Sequence, residues 1–291
     1  MKIYLNGKLV EKEKATISVF DHGLLYGDGV FEGIRIYKRK IFRLNEHLDR
    51  FYASAKAIAL NISCDKGRLE KAIIETVRTN KLDDGYIRLI CTRGIGDLGL
   101  DPNKCKKVTL IIIADRIELY PEEYYTKGLS VIITKTIRNM PEALNPCVKS
   151  LNYLNNIMGK IEANRAGVPE AIMLNHLGFV AECTGDNIFI YKNGVLITPP
   201  ISAGALEGIT RDAVMEIAKR LNINVKEELF KTDSLYSADE CFLTGTAAEV
   251  IPVVKINDKL IGNGKPGKVT TEFIQEFRNL AHSTGTEVYT K

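Results

Sequence analysis

The chain alternates short apolar runs of strand length with segments whose apolar residues recur at helical spacing, along most of its 291 residues. One polar, tyrosine-rich segment around Pro121 interrupts this alternation. A chain of this length can form one large domain or two ordinary ones. We therefore predict a mixed α/β fold of the α+β type, with a smaller N-terminal domain (1–120), an interdomain loop (121–128) and a larger C-terminal domain (129–291). A cleft between two domains is a usual place for a ligand site.

Apolar stripes predict where the helices lie. The helix predicted from Leu151 to Ala166 is closed by Gly167, and Thr210 is a good N-cap for a later one. The other predicted helices cover residues 44–60, 69–77 and about 269–282.

Composition excludes several classes of function. Apolar residues make up 45% of the chain and charged residues 26%, which is typical of a globular protein. The net charge is +4 and no basic cluster is interleaved with aromatic residues, so we expect no nucleic-acid partner. The longest apolar run, Val108 to Ala114, is far below the ~20 residues of a membrane span, and no signal peptide is evident. Six scattered cysteines without C-x-x-C spacing favour reduced thiols, and we expect a cytoplasmic protein.

Two glycine-rich stretches imitate nucleotide-binding motifs. Residues 94–99 match G-x-G-x-x-G, but Leu100-Asp-Pro102 follows where that motif requires a helix. Residues 262–268 resemble a phosphate-binding loop, but Val269 stands where Ser or Thr should bind magnesium. A nucleotide-binding module therefore stays only a remote alternative. The four histidines lack metal-ligand spacing, so no metal is expected, and His22 is interpreted as a turn residue.

A lysine, an acid and two loops rich in backbone N–H groups form the most informative pattern. Lys149 comes just before a predicted helix, and Glu182 lies downstream. The two loops are a helix start at 208–210 and a small-residue turn at 245–249. Pyridoxal phosphate needs a lysine for its Schiff base, an acid against its pyridine nitrogen, and N–H donors for its phosphate.

These residues closely resemble the class IV pyridoxal-phosphate aminotransferases. The resemblance covers nearly the whole chain and is carried by four motifs: Phe20-Asp-His-Gly-Leu-Leu-Tyr26-Gly-Asp-Gly-Val-Phe-Glu-Gly33; Lys149 with Asn152-Tyr153-Leu; Glu182-x-x-x-x-Asn187-Ile-Phe189 through Thr198 to Gly208-Ile-Thr210-Arg211; and Gly245-Thr-Ala-Ala-Glu249. Within the family the pattern is most similar to the branched-chain amino acid aminotransferases, on the basis of the first motif, Phe42-Arg43, Tyr86-Ile-Arg88 and Gly96-Asp-Leu-Gly-Leu100-Asp-Pro102.

The resemblance implies a two-domain fold-type IV enzyme with its active site in the interdomain cleft. It also implies a homodimer, or a hexamer built of dimers, with each site completed by the neighbouring subunit. The implied activity is transfer of an amino group between L-leucine, L-isoleucine or L-valine and 2-oxoglutarate, by a ping-pong route in branched-chain amino acid biosynthesis. The preferred substrate and the direction are left open.

The resemblance also implies a role for each cofactor residue. Lys149 would form the Schiff base with pyridoxal phosphate and carry a proton, Glu182 would face the pyridine nitrogen, and Tyr153 would bind the phenolic oxygen. The phosphate would lie at the helix start, where unpaired N–H groups favour an anion. The remaining implied cofactor contacts are Arg43 as a phosphate clamp, Gly185, Leu206, Ile209, Thr210 and Thr246.

One substrate pocket must accept both a branched apolar side chain and the γ-carboxylate of glutamate. The resemblance implies that Tyr86 and the turn residues Thr246 and Ala247 bind the α-carboxylate, and that Arg88 binds the γ-carboxylate, alone or with Tyr26. Tyr86 and Arg88 alternate along a predicted strand, so their side chains would lie side by side. The rest of the implied pocket is Phe31, Gly33 and, from the neighbouring subunit, Tyr26 and Leu100.

Arg93 is a second arginine near this wall and has no assigned role. Related D-amino-acid aminotransferases carry an Arg-x-His pair at the end of this strand, and Arg93-Gly-Ile lacks the histidine. A D-amino-acid aminotransferase or an aminodeoxychorismate lyase of the same family is the alternative function.

Overall fold

The computed structural model describes residues 1–117 and 120–289. The chain divides into two compact units. Unit 1 consists of Met1–Ile117, Val148–Asn152 and Ala281–Lys291; unit 2 consists of Glu118–Cys147 and Tyr153–Leu280. The first boundary lies close to the predicted one at 120. The sequence did not indicate that two later segments return to unit 1.

The strands of the described residues are, in chain order, β1 (Lys2–Leu5), β2 (Lys8–Glu11), β3 (Gly29–Tyr37), β4 (Lys40–Ile41), β5 (Gly85–Thr92), β6 (Thr109–Asp115), β7 (Leu129–Ile133), β8 (Glu170–Leu174), β9 (Val180–Cys183), β10 (Asn187–Lys192), β11 (Val195–Thr198), β12 (Asn224–Glu227), β13 (Glu240–Gly245), β14 (Glu249–Ile256), β15 (Lys259–Leu260) and β16 (Thr286–Glu287). The α-helices are α1 (His22–Tyr26), α2 (Leu44–Ala57), α3 (Lys66–Thr79), α4 (Glu122–Lys127), α5 (Pro141–Leu144), α6 (Leu154–Arg165), α7 (Ile209–Arg220), α8 (Thr232–Tyr236) and α9 (Lys268–Ser283). None of these helices combines the length and apolar character needed to cross a membrane.

Unit 1 is built on a sheet in the order β16-β4-β3-β5-β6-β1-β2. Its centre is the antiparallel pair β3 and β5, in register from Gly29 opposite Thr92 to Ile36 opposite Gly85. The helix α2 packs against β3, and α3 packs against β1 and β6. Apolar side chains of α2, α3 and the sheet form one buried core. This arrangement holds β3 and β5, which carry half of the predicted substrate residues, in fixed positions.

Unit 2 is built on a sheet in the order β12-β11-β10-β13-β14-β7-β8-β9, with β15 paired to β14. Neighbouring strands are antiparallel except in the pairs β11–β12, β14–β7 and β7–β8. Phe189 of β10 stacks on Phe242 of β13 at 5.2 Å between ring centroids, and Phe273 of α9 lies 5.5 Å from Phe242. Both units mix helices with strands, as the sequence predicts.

The structure corrects two predicted helix starts and the predicted interdomain loop. The helix predicted to begin at Leu151 begins at Leu154, because the residues before it are hydrogen-bonded to β3 in unit 1. The helix expected to begin with Thr210 as its cap has Gly208 at the N-cap, so Thr210 lies inside its first turn. The predicted interdomain loop at 121–128 contains α4, and the neighbouring tyrosines pack on the core of unit 2.

The two glycine-rich stretches have structural explanations. Residues 94–99 are followed by a three-residue 3₁₀ helix, Pro102–Lys104, and not by an α-helix. Residues 262–267 do lead into α9, but a carboxylate already occupies the N-terminus of that helix. Glu240 accepts hydrogen bonds from Val269 N at 3.0 Å, and from Thr270 N at 2.7 Å and its hydroxyl at 2.6 Å. A phosphate would have to displace this carboxylate.

Candidate active site

Lys149 lies in a five-residue segment that the chain inserts into unit 1. Phe31 N donates to Lys149 O at 3.0 Å, and Lys149 N donates to the Ser54 hydroxyl of α2 at 3.1 Å. Leu151 N donates to Gly29 O at 2.9 Å. Both peptide groups of Lys149 are therefore fixed, one by β3 and one by α2.

The predicted substrate residues of unit 1 lie together with the Lys149 side chain. The Lys149 amine is 4.8 Å from the centroid of the Phe31 ring, and the guanidinium carbon of Arg88 is 4.6 Å from the same centroid. Arg88 also lies over the Tyr86 ring at 5.5 Å. The alternation of Tyr86 and Arg88 along β5 places both near Phe31. Two cations beside one aromatic ring provide a setting suited to a carboxylate.

Gly33 makes room for the hydroxyl of Tyr86. A Cβ atom at position 33 would lie 1.8 Å from Tyr86 Oη and 2.6 Å from the ring carbon that bears it. Any side chain at Gly33 would therefore displace the tyrosine. This is a steric reason for glycine in the predicted pocket.

A buried charge cluster lies on α2 and β3 beside Lys149. The fully buried Glu32 accepts two hydrogen bonds from Arg50, at 2.8 and 2.9 Å, and one from His47 Nδ1 at 2.8 Å. Burial alone would raise the pKa of Glu32, but the charge of Arg50 and the bond from His47 outweigh it and lower the pKa to about 2. For His47, burial together with the nearby charges of Arg50 and Lys149 lowers the pKa, although the Glu32 carboxylate acts to raise it. His47 is therefore neutral near pH 7, with its proton on Nδ1, because a carboxylate can only accept.

Arg93, which the sequence left without a role, is a structural arginine. Its guanidinium donates to both carboxylate oxygens of Asp28 at 2.9 Å, and to Ile58 O and Ala59 O, both at 2.7 Å. The two carbonyls lie at the C-terminal end of α2. Four of its five N–H donors are thus engaged within unit 1.

Tyr26 contacts the loop that carries Leu100 within unit 1. The Tyr26 hydroxyl accepts a hydrogen bond from Gly99 N at 3.0 Å, so the tyrosine is tied to the loop that carries Leu100. Leu100 is 82% exposed. Their predicted role, in the pocket of a neighbouring subunit, stays a prediction.

In unit 2, Glu182 is the centre of a second buried network. Its Oε1 accepts from Arg138 Nε at 2.8 Å, and its Oε2 accepts from Leu206 N at 2.8 Å. Asn187 reaches the same Oε2 at 3.4 Å and donates to Leu206 O at 2.9 Å. The buried carboxylate is therefore paired with a cation and fixed in direction, as a buried charge requires.

The sequence analysis missed Arg138. Besides Glu182, it donates to Asn155 Oδ1 at 2.9 Å and to Asn156 Oδ1 at 3.1 Å, both on α6. It is 5% exposed. The sequence around Arg138, between β7 and α5, contains no motif that would mark this arginine as a site residue. Only its long-range partners reveal it.

The predicted phosphate position lies at the start of α7. In the described residues no side chain caps this helix, and Ile209 and Thr210 in its first turn are buried. A Cβ at Gly208 would lie 1.9 Å from Asn187 Oδ1, so the glycine lets this loop pack against the Glu182 network. An uncapped helix start beside a fixed acid suits an anionic group.

The turn that follows β13 is packed on the same loop. A Cβ at Gly245 would lie 1.9 Å from Asp186 Oδ1, next to Gly185 and Asn187. Thr246 and Ala247, at the tip of the turn, are half-buried. Within unit 2 the structure thus links the predicted residues Glu182, Gly185, Leu206, Ile209, Thr210, Thr246 and Ala247 through Asn187 and its neighbours.

Two predicted cofactor residues are less closely linked to these clusters. Tyr153 immediately precedes α6, which carries the asparagines that bind Arg138. Arg43 sits at the N-cap of α2, with its guanidinium 5.5 Å from the Phe42 ring. Ser54, which holds Lys149, is eleven residues further along, or about 16 Å at 1.5 Å per residue. Arg50 is one turn from Ser54, so it is the α2 arginine nearer to Lys149.

The fold and these clusters define an aminotransferase. The family model described as amino-transferase class IV matches residues 29–256, and the chain belongs to that family. A Methanocaldococcus jannaschii protein named only provisionally as a branched-chain-amino-acid aminotransferase is 51% identical over 290 residues, covering 99% of both chains.

Two solved structures give the same family assignment. The Escherichia coli branched-chain amino acid aminotransferase has a TM-score of 0.95 at 36% identity, covering 98% of this chain and 96% of its own. The Thermoproteus uzoniensis branched-chain aminotransferase, solved with norvaline, has a TM-score of 0.93 at 37% identity, covering 99% of both chains.

Replacing His47 by Asn should weaken the loss of stability on acidification. In the unfolded chain His47 takes up a proton near pH 6.5, whereas the folded state resists protonation. The unfolded state therefore binds more protons as the pH falls through 6.5, and the free energy of unfolding falls by up to about 1.4 kcal/mol per pH unit. Asparagine does not titrate and can still donate to Glu32. Urea unfolding between pH 7.5 and 5.5 measures the difference.

The matched control is His176→Asn, at an exposed turn position. If H47N and H176N gave the same dependence of unfolding free energy on pH, the assignment of a neutral buried His47 would be wrong.

Proposed function

We propose that this chain is a pyridoxal-phosphate-dependent branched-chain amino acid aminotransferase. It would transfer the amino group between L-leucine, L-isoleucine or L-valine and 2-oxoglutarate by a ping-pong route. One observation carries the proposal: Lys149 is held through both of its peptide groups while its amine lies with Arg88 over the Phe31 ring. The names of the similar proteins point to branched-chain amino acids as the amino donors.

The residues of unit 2 suit the cofactor. Glu182, oriented by Arg138, offers a fixed carboxylate for a pyridinium N–H. The uncapped start of α7 offers N–H groups and the positive end of the helix dipole to a phosphate. Bound pyridoxal phosphate would supply an aldehyde that accepts the amino group and a ring that withdraws electrons from the substrate Cα.

Each protein group then has a limited task. Lys149 Nζ would form the covalent bond that holds the cofactor, and after its release would move a proton from the substrate Cα. Tyr153 would donate its hydroxyl proton to the phenolic oxygen. Glu182 would hold the proton on the pyridine nitrogen, because the carboxylate is an acceptor beside it. Gly185, Leu206 and Thr246 would complete the cofactor contacts.

A guanidinium of α2 would complete the phosphate site. The sequence predicts Arg43 for this role, whereas the position of Arg50, one turn from Ser54, supports Arg50. Arg50 is also oriented by two hydrogen bonds from one edge of its guanidinium to Glu32, which reduces the entropy that a flexible arginine would lose on binding. We therefore propose Arg50 as the principal phosphate clamp and retain Arg43 as the alternative.

Substrate recognition would depend on a carboxylate end and an apolar end. Tyr86 and the N–H groups at Thr246 and Ala247 would bind the α-carboxylate. Phe31, with Tyr26 and Leu100 from a neighbouring subunit, would contact a branched side chain, and Arg88 would bind the γ-carboxylate of glutamate. Gly33 contributes by leaving space for Tyr86.

The alternative of a D-amino-acid aminotransferase is less well supported. It draws on Arg93, and four of that guanidinium's donors are already bound to Asp28 and the end of α2. An arginine so engaged would have to break internal bonds to bind a substrate carboxylate. The position of Arg93 therefore supports the L-specific proposal.

We also propose a homodimer, or a hexamer of dimers, in the cytoplasm. In unit 1, the residues just before α1, α1 itself and the loop at residues 95–100 carry large apolar side chains that are well exposed: Val19, Phe20, Leu24, Leu25, Ile95, Leu98 and Leu100. Apolar surface of this extent is typical of a protein interface. An interface here would place Tyr26 and Leu100 beside another subunit.

Purified protein should be yellow, and adding L-leucine should shift its absorption as the cofactor takes the amino group. Lys149→Ala should abolish turnover and remove the cofactor that borohydride links to the chain, because no other side chain has this assigned role. Lys127→Ala, at an exposed surface pair, is the control. Activity with D-alanine but none with L-leucine would favour the alternative function, and full activity of K149A would contradict the mechanism.

Arg50→Ala should weaken binding of pyridoxal phosphate by roughly ten- to a hundredfold, the equivalent of one charge-assisted hydrogen bond. Binding of pyridoxal, which lacks the phosphate, should change little. Equilibrium dialysis with both compounds measures the effect, and Arg43→Ala is the matched variant. A loss confined to R43A would restore Arg43 as the clamp, and equal losses of both compounds in R50A would point to misfolding.

At micromolar concentration the protein should sediment as a dimer of the 32.4 kDa chain or a multiple of it. Leu24→Glu should shift the equilibrium towards monomer, because a charge would be buried at the interface. Leu260→Glu, at a leucine of nearly equal exposure on the β14–β15 hairpin, is the control. A monomeric wild type, or equal dissociation in both variants, would contradict this interface.

A further inference from the structure

The glycine-rich loop at residues 94–99 is packed against its neighbours through its backbone. A Cβ at Gly94 would lie 1.8 Å from Lys107 O, and this residue has φ of 92°. A Cβ at Gly96 would lie 2.6 Å from Cys105 Sγ and 3.0 Å from His22 Nε2. The glycines that imitate a nucleotide motif thus permit close packing of this loop on α1 and on residues 105–107.

His22 is the main contact between α1 and this loop. It is 1% exposed, and its Nε2 lies 3.0 Å from Asp97 O. A carbonyl oxygen only accepts, so the proton is on Nε2. The backbone N of His22 donates to Gly94 O at 2.9 Å, and its ring meets the Tyr26 ring edge to face at 5.0 Å. Gly99 N also donates to the Tyr26 hydroxyl. The helix α1 therefore contacts the loop at Gly94, at Asp97 and at Gly99.

The helix α1 is itself anchored by a buried carboxylate. Asp21 accepts from Gly23 N at 2.8 Å, which caps α1. Its other oxygen accepts from the hydroxyls of Thr92 at 2.9 Å and Thr109 at 2.7 Å. Thr92 ends β5, the strand that carries Tyr86 and Arg88. The loop is therefore fixed, through His22 and Asp21, to the strand that bears the predicted substrate residues.

We propose that His22 is a positioning residue that sets side-chain selectivity by fixing residues 96–100. This inference rests on the proposed function, in which Tyr26 and Leu100 form the apolar wall of the substrate pocket. His22 touches neither Lys149 nor the cofactor residues in the described contacts. Its loss should therefore loosen the wall and leave the chemistry at Lys149 intact.

We expect the substitution to change KM and to leave kcat constant. Contacts of an apolar pocket with a side chain of this size are worth roughly ten- to two-hundredfold in specificity, so His22→Leu should raise KM for L-leucine about tenfold. A rise in KM at constant kcat is the signature of lost binding that is equal in ground and transition states. KM for L-glutamate, whose γ-carboxylate would be held by Arg88, should change less.

The test compares three variants of the full-length, cofactor-loaded protein. His22→Leu keeps the volume and removes the donor, whereas His22→Gln keeps an N–H donor at a similar reach and should restore most of the affinity for L-leucine. His282→Leu is the matched control, since its ring contacts Tyr37 in unit 1, away from the loop. Hydrogen–deuterium exchange of residues 95–100 is followed in parallel, and only H22L should accelerate it.

The outcomes are distinguishable. Unchanged exchange in H22L would show that His22 does not hold the loop. Faster exchange with an unchanged KM for L-leucine would show that the loop does not set selectivity. Either result would overturn the inference while the aminotransferase proposal stands. Absence of transamination by the wild-type holoenzyme would instead overturn the proposed function, and the selectivity role with it.

Discussion

The attachment of residues 148–152 to unit 1 is the constraint on which the rest of the candidate site depends. A lysine side chain has four rotatable bonds, so its amine is positioned only if its backbone is fixed. The bonds from Phe31 N and to Ser54 Oγ fix both peptide groups of Lys149, at about 1 kcal/mol net each. A Cβ at Gly29 would lie 2.6 Å from Cys91 O on β5 and 2.7 Å from Leu151 Cδ1, so the glycine leaves room for both β5 and this segment beside β3. The same attachment delays the start of α6 to Leu154.

Within each unit, several buried charges are present as matched pairs. Glu32 is neutralised by Arg50, Glu182 by Arg138, and Arg93 by Asp28. Removing one partner of such a pair strands the other in a medium of low polarity, which is far more costly than exposing a surface charge. Each pair also fixes the direction of a side chain on a neighbouring element. The main effect of these pairs is therefore to fix the orientation of their side chains, and their contribution to the free energy of unfolding is secondary.

The site residues predicted from the sequence are those whose signal is local. Lys149, Glu182, the helix start at 209–210 and the turn at 246–247 each sit in a short pattern with its own chemistry, and the two α+β halves follow from apolar periodicity. Arg138, Arg50 and His47 could not be predicted in this way, because their partners lie 15 to 44 residues away in the chain. Arg43 is part of the recognisable Phe42-Arg43 pattern, whereas Arg50 is one of several charged residues on a helix. Only the packing of α2 on β3 shows which of these two arginines lies nearer to Lys149.

The Phe31 ring offers a physical account of dual substrate recognition. Both the Lys149 amine and the Arg88 guanidinium lie close to this ring, at 4.8 and 4.6 Å from its centroid. In the proposed reaction, Lys149 would be engaged with the cofactor. Arg88 is then left on aromatic surface, where a guanidinium is well tolerated because its face is weakly hydrated. Its N–H edge can bind the γ-carboxylate of glutamate, while the same ring can contact the side chain of leucine. One aromatic residue and one stacked cation would thus serve both half-reactions without a large rearrangement.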